Sequence, residues 1–204
     1  MLVCTLYDNQ GNQVDNENCP FCRTPAPTTN EEVINRLKKR IEAGDVRAMH
    51  NLGAYYRDGK YGLPQDYVKA LELYHQAGEL GYAESFSNIG YAHECGSRGV
   101  EVDKEKANHY YELAAMAGDA CARHNLGNKE ENAGNMERAL KHYMIAAGDG
   151  FNESVERIKE MYTNGHATKE DYTKALQSYQ AYLGEIKSKQ RDEAAAARED
   201  CRYY

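Results

Sequence analysis

A chain of 204 residues with 41% hydrophobic and 28% charged residues can form one ordinary domain or one compact repeat array, and its composition is not that of a disordered protein. The formal net charge of -7 argues against a general nucleic-acid binder, because such proteins carry a basic face. No apolar run approaches the roughly 20 residues that span a membrane, and residues 1–10 lack a signal-peptide pattern. We therefore expect a soluble, cytoplasmic protein.

Two cysteines near the N-terminus are the one candidate for metal chemistry. Cys19 and Cys22 form a Cys-Pro-Phe-Cys turn, whose spacing lets two thiolates reach one tetrahedral zinc ion. Followed by Arg23, the turn resembles the last ligand pair of a RING-type zinc finger. Such a finger needs eight ligands, and upstream only Cys4 remains. The segment 1–24 is therefore a partial zinc-finger-like segment, and zinc is expected as a cofactor only if the finger is completed.

Three interpretations of Cys19 and Cys22 stay open. The segment is a fragment that has lost the front of a RING, a decayed remnant without metal, or a small zinc site shared with another chain or a redox pair. The redox interpretation lacks the βαβ context that such motifs use.

A linker and a single helix precede the repeats. Residues 25–30 contain two prolines and are typical of a short, stiff linker. The next segment predicts a helix over 31–43, capped by Thr29 with Glu32 three residues later, which is the capping-box pattern. This helix supplies a half-unit ahead of the first full repeat.

The remainder of the chain repeats itself with a period near 37 residues. One motif, Asn-Leu-Gly or Asn-Ile-Gly, ends at Gly53, Gly90 and Gly127. A second motif is a basic residue followed by alanine, and it recurs at steps of 37, 32 and 36 residues. Its alanines are Ala70, Ala107, Ala139 and Ala175. A shared period of this length indicates stacked helical hairpins. The predicted repeats cover about 46–81, 83–118, 120–150 and 152–186.

Each repeat has the signals of a second helix. Four residues before each alanine stands a residue type that caps a first helical turn: Asp66, Asp103, Asn135 and Asp171. Eleven residues after it stands a glycine suited to ending a helix, except in the last repeat, where Ile186 takes that place. We therefore predict one long helix over about 171–200, which covers the last apolar face as solenoid caps do. The predicted fold class is an all-α, right-handed α-α solenoid of about four helix-turn-helix repeats with this long C-terminal capping helix, covering 31–200.

The mid-helix glycines predict close packing between helices. Glycine in a helix interior costs about 1 kcal/mol relative to alanine, so its recurrence at one register favours a close approach of the paired helix. We expect the recurring alanines of the second helices to form the opposing surface.

The repeat residues resemble the Sel-one-like repeat family, a branch of the tetratricopeptide-like solenoids. The second repeat matches closely through Ile89-Gly90, Gly99-Val100 and Asp103. The third repeat has lost the Gly-Val loop, which accounts for its shorter step, and the fourth has Ile158-Lys159 in place of Leu-Gly. The resemblance covers about residues 31–190.

The resemblance implies an adaptor that holds protein complexes together, with some relatives linked to ubiquitin ligases. The chain is accordingly predicted to be a non-catalytic protein-protein interaction scaffold whose partners are proteins or peptides, not nucleic acid or membrane. The alternative is the C-terminal, substrate-recruiting part of a RING-type, zinc-binding ubiquitin ligase. The sequence contains no His-Glu-x-x-His, phosphate-loop or Gly-x-Ser-x-Gly motif, so an enzyme interpretation has no residue to support it.

In such arrays the first helices line the concave face, which predicts a partner-binding groove. Its outward positions, counted from the mid-helix glycines, are His50, Ala54 and Arg57, then Ser87, Tyr91 and Glu94, then His124, Asn128 and Glu131. The set contains both acidic and basic side chains. It lacks the cluster of Lys, Arg and Asn side chains with which a carboxylate clamp binds its ligand. The sequence therefore predicts a surface for a peptide or partner helix without naming the ligand.

Overall fold

A computed structural model describes residues 27–96 and 99–200, with side chains up to residue 189. Nine α-helices and no strands lie within these residues. The helices are α1 (Asn30–Glu42), α2 (Val46–Asp58), α3 (Tyr67–Glu79), α4 (Ala83–Cys95), α5 (Lys104–Met116), α6 (Ala120–Asn132), α7 (Met136–Gly148), α8 (Asn152–Thr163) and α9 (Lys169–Asp200). The all-α fold class predicted from the sequence is confirmed.

The helices pack in four units that follow the single helix α1. In each unit a first helix (α2, α4, α6 or α8) packs against a second helix (α3, α5, α7 or α9), and the second helix packs against the first helix of the next unit. The first helices α4 and α6 also contact each other. The first helices therefore form one continuous side of the array.

The caps explain where most helices begin. Asp66 and Asp103 accept hydrogen bonds from the backbone amides of the third residues of α3 and α5, and Thr29 does so for α1 at 3.1 Å, as predicted. The predicted cap at Asp171 is wrong. Thr168 is the capping residue of α9, and it exchanges hydrogen bonds with Asp171 in a capping box.

The mid-helix glycines accommodate tyrosine rings. Each ring comes from the second helix of the same unit, and the pairs are Gly53 with Tyr74, Gly90 with Tyr111, and Gly127 with Tyr143. A Cβ atom on the three glycines would lie 2.9, 3.0 and 2.6 Å from the nearest ring carbon. The predicted alanine surface is only part of this contact, since the carbonyl oxygens of Ala70 and Ala107 lie 3.2 Å from the same Cβ position. The glycine is thus required chiefly by a buried aromatic ring.

Helix α9 ends the array because it carries bulky side chains where the other second helices carry small ones. The small pairs are Ala77-Gly78, Ala114-Ala115 and Ala146-Ala147, all buried. At Gly78 the ring of Phe86, from the next first helix, lies 2.6 Å from a Cβ position. The corresponding residues of α9 are Tyr182 and Leu183, which leave no such space. The expected capping helix is confirmed.

Candidate protein-binding surface

The predicted groove residues divide into an exposed set and a buried set. Six lie one or four residues after the mid-helix glycine and are exposed or half-exposed: Ala54, Arg57, Tyr91, Glu94, Asn128 and Glu131. We call these six residues the inner face. Tyr91 is the most prominent of them, with 58% of its surface exposed.

Two of the three positions before the glycines are buried between units. His50 and Ser87 are buried, so the prediction that these two point outward is wrong, whereas His124 is partly exposed. Each side chain faces the first helix of the next unit, which packs close enough to cover it. They contribute to the contact between units, and His50 and Ser87 cannot meet a partner protein.

The two histidines bind serines of the next unit. His50 Nδ1 lies 2.9 Å from Ser85 Oγ, and His124 Nδ1 lies 2.8 Å from Ser154 Oγ. The His50 ring is also tilted against the rings of Tyr74 and Tyr82, with centroids at 5.1 and 4.8 Å. The His124 ring has the same surroundings, formed by Tyr143 and Phe151. The first and third boundaries between units therefore use one arrangement.

At the boundary between the second and third units, other residues replace both the histidine and the serine. Ser87 stands at the histidine position and Ala122 at the serine position. Since Ala122 offers no hydroxyl, Ser87 Oγ instead donates a 2.8 Å hydrogen bond to Asp119 Oδ1. Asp119 also caps α6 and stands where the other two boundaries have Tyr82 and Phe151. The residues at each boundary thus change together.

The serine-histidine pairs are built for packing and not for nucleophilic catalysis. His50 Nε2 lies 3.8 Å from a carboxylate oxygen of Glu84, so the residue types are those of a hydrolase triad. Both serines, Ser85 and Ser154, are 0% exposed. A nucleophile must reach its substrate, and these hydroxyls are enclosed by neighbouring helices.

The buried histidines predict that acid weakens the fold. Burial lowers the pKa of His50 and of His124 below the ordinary value of 6.5, although Glu84 and Glu153 oppose the shift. The unfolded chain then binds more protons than the folded one below about pH 6.5. The free energy of unfolding is therefore highest above that pH. It falls as the pH drops toward the lowered pKa values of the two histidines. Urea unfolding at pH 7.5 and 5.5 measures this loss of stability. The double variant His50→Gln/His124→Gln should lose less stability between the two pH values than the wild type. An equal loss would contradict the assignment of the pH dependence to these histidines.

The tyrosine hydroxyls link the core to the inner face. Tyr111 donates to Glu94 at 2.8 Å. The Tyr143 oxygen lies 2.7 Å from both Asn128 Oδ1 and Glu131 Oε2, which share its single proton. Burial and the acceptor raise the pKa of both phenols. The hydroxyl of Tyr74, in the same position of the first unit, is buried without a hydrogen-bond partner.

Charged groups of the inner face are paired between units. Arg57 donates to Asn88 of the next unit at 3.3 Å, and Arg157 forms a 2.7 Å ion pair with Glu131 of the preceding unit. Burial alone would raise the pKa of Glu131, but hydrogen bonds from Tyr143 and Arg157 outweigh it and lower the pKa. These pairs hold the inner-face side chains in fixed positions.

Removing a phenol oxygen should have different effects in the first and third units. Tyr143→Phe removes the one proton that Asn128 and Glu131 share, so we expect it to lower the free energy of unfolding by about 1–2 kcal/mol. Tyr74→Phe removes an oxygen that bonds to nothing and should change it by less than about 0.5 kcal/mol. Denaturant melts of both variants test this, and equal losses would contradict the hydrogen-bond assignment.

Within the described part of the chain, no group of three or more His, Cys, Asp or Glu side chains is positioned to hold a metal ion. The predicted zinc ligands Cys19 and Cys22 lie outside the described residues, so that prediction stays a prediction. No helix between residues 27 and 200 is long and apolar enough to cross a membrane.

Comparison with known proteins agrees with the repeat pattern. Three segments match the model of the Sel1 repeat family, at residues 46–82, 87–119 and 160–180. These three segments are similar to Sel1 repeats. The Sel1 matches omit the third unit. In that unit the connection between its two helices is short, since α6 ends at Asn132 and α7 begins at Met136.

Two solved structures share the Sel1-type solenoid. A Sel1 repeat protein from Oxalobacter formigenes is 28% identical with a TM-score of 0.64, over 76% of this chain and 64% of that one. A protective antigen of uropathogenic Escherichia coli strains, c5321, is 24% identical with a TM-score of 0.62, over 76% of this chain and 35% of that one. This chain therefore spans less than two thirds of either protein. No curated protein matches the sequence.

Proposed function

We propose that this chain is a non-catalytic scaffold that binds protein or peptide partners along the inner face of its Sel1 repeats. The observation that carries the proposal is Tyr91, an aromatic side chain 58% exposed on α4, with inner-face residues of α2 and α6 on either side. Aromatic residues are enriched among the dominant contacts of protein interfaces. Tyrosine supplies a large contact area with little loss of side-chain entropy.

The fixed charges around Tyr91 support the same role. Glu94 is held by the Tyr111 hydroxyl and by Lys129, whose Nζ lies 3.6 Å away. Glu131 is held by Arg157 and Tyr143. Side chains that are already ordered lose less entropy when a partner binds. The inner face is thus a preorganised surface with an exposed aromatic residue at its centre.

Affinity capture with the full-length chain tests this proposal. We expect Tyr91→Ala to reduce the recovery of specific partners by more than tenfold, since truncating a dominant contact costs about 2 kcal/mol or more. The control is Met116→Ala on the second helix α5, because Met116 is 83% exposed and lies off the inner face. Equal recovery with both variants and the wild type would reject the inner face as the binding surface.

A second candidate rests on Cys19 and Cys22, whose Cys-Pro-x-Cys spacing favours the C-terminal, substrate-recruiting part of a RING-type ubiquitin ligase. Zinc content of the purified full-length chain addresses it. One zinc ion per chain that is lost in Cys19→Ser/Cys22→Ser would support a zinc site. A metal content that both proteins share would oppose it.

A further inference from the structure

The boundary between the second and third units, the middle boundary, carries an arginine where the boundaries on either side carry an apolar residue. Four residues before the mid-helix glycine, Phe86 of α4 packs over Gly78 of the preceding unit. The corresponding residue of α8, Val155, is buried in the apolar cluster of the third and fourth units. In α6 this residue is the half-buried Arg123, whose guanidinium donates a 2.8 Å hydrogen bond to the carbonyl oxygen of Ala115. A charged group therefore stands where the outer boundaries bury apolar side chains.

A second position of the middle boundary changes in the same direction. At the outer boundaries the rings of Tyr82 and Phe151 lie against the histidines of the preceding unit, with centroids 4.8 and 5.0 Å apart. The corresponding residue of the middle boundary is Asp119. Its carboxylate accepts hydrogen bonds from the Ser87 hydroxyl and from the first turn of α6. The middle boundary thus lacks the aromatic contact that the other two share.

The apolar cluster that spans the middle boundary is built almost entirely of alanine. Its buried members are Tyr111 and four alanines: Ala107, Ala114, Ala115 and Ala122. At the outer boundaries the first helix of the next unit contributes larger buried side chains, which are Ile89 at one and Val155 and Ile158 at the other. Helix α6 contributes Ala122 and the half-buried Leu126. Because stabilisation by apolar burial scales with the area buried, the second and third units are held together less strongly than the other pairs.

We propose that the array consists of two blocks, α1–α5 and α6–α9, that unfold separately and part at the middle boundary. In a stacked array each unit contacts only its neighbours, so the stability is a sum of unit and boundary contributions. A boundary weaker than those on either side lets one block open while the other stays folded. Such an opening divides the inner face between Tyr91 of α4 and Asn128 of α6. The inference does not depend on the proposed scaffold function.

Hydrogen exchange of the full-length chain tests the proposal with one core variant in each block. Leu52→Ala removes a buried side chain of α2, and Ile158→Ala removes one of α8. We expect Ile158→Ala to raise the exchange rates of the slowest amides of α8 at least about thirtyfold. The slowest amides of α2 and α3 should change by less than about threefold, and Leu52→Ala should give the reverse pattern. Equal increases in both blocks would mean that the array unfolds as one unit, and would overturn the proposal.

Ile158→Val provides the same comparison if the alanine variant does not fold, with a smaller increase of about threefold to tenfold in α8. Its effect must again be confined to the second block.

Exchanging the boundary residues tests whether they cause the separation. The variant Ser87→His/Asp119→Phe/Ala122→Ser/Arg123→Val gives the middle boundary the residues of the third one. Phe151 precedes α8 without a side-chain capping bond, so phenylalanine is compatible with a helix start. In this background we expect Ile158→Ala to raise exchange in α2 and α3 as well, by about tenfold or more. Blocks that stay independent in this background would overturn the assignment of the break to the polar boundary.

Discussion

Replacing Tyr143 by alanine is expected to lower the free energy of unfolding by about 3–5 kcal/mol, the range for removing a large aromatic side chain from a core. Tyr143 is 0% exposed, its ring fills the space above Gly127, and its hydroxyl proton is shared by two acceptor oxygens. No small movement of α6 can fill the space that is left. Chemical denaturation followed by circular dichroism measures the change.

Tyr179→Ala is the matched control for that variant. Tyr179 stands at the same register of α9, four residues after Ala175, but it is only half-buried. The first helix of its unit has the exposed Lys159 in place of the glycine. We expect a loss of about 1–2 kcal/mol, in proportion to the smaller apolar area buried. Equal losses at both positions would mean that the glycine-tyrosine contact is not what stabilises the units.

Gly127→Ala is expected to destabilise the protein by about 2–3 kcal/mol, even though alanine favours a helix interior by about 1 kcal/mol. The new Cβ would lie 2.6 Å from one ring carbon of Tyr143 and 2.8 Å from another. Because the ring is enclosed on all sides, the helices must separate to relieve the overlap. Thermal melts compared with the wild type provide the measurement.

Gly184→Ala should have the opposite sign. Gly184 lies inside α9, is exposed, and a Cβ there meets nothing within 4 Å. The free energy of unfolding should then increase by the difference in helix propensity alone, about 0.5–1 kcal/mol. If Gly127→Ala also stabilised the protein, the proposed close approach of α6 and α7 would be refuted.

The periodicity was sufficient to predict the helical array, because glycine, alanine and capping residues recur at fixed registers for local reasons. The caps Asp66 and Asp103 illustrate this, since each acts on the backbone of its own helix. The long terminal helix was also predictable, from the absence of a glycine at Ile186. Asp171 was misassigned because the alanine register was assumed to hold in the last unit, whereas Thr168 offered a better capping box.

The contacts between units could not be predicted from one register alone. The prediction placed His50 and Ser87 on an outer face because it counted positions from the glycine without the next unit in place. The chain does contain a signal for the correct arrangement. His50 occurs with Ser85 and His124 with Ser154, whereas Ser87 occurs with Ala122. Comparing the repeats with one another would have revealed these pairs.

The inner-face chemistry was partly visible and partly hidden. The mixed signs of Arg57, Glu94 and Glu131 could be seen in the sequence, and so could the exposed position of Tyr91. The link from the carboxylates to the tyrosine core required a structure, because Tyr143 and Glu131 belong to different helices. Only that link shows that Arg57 interrupts a repeated hydrogen bond.

Site-specific photo-crosslinking tests the central claim most directly. Benzoylphenylalanine replaces Tyr91 in one full-length variant and Met116 in another, and partners from the native cell are irradiated with each. A stacked array that binds proteins through its first helices predicts discrete adducts from position 91 and none from position 116. Adducts from position 116 alone, or the same adducts from both positions, would contradict it.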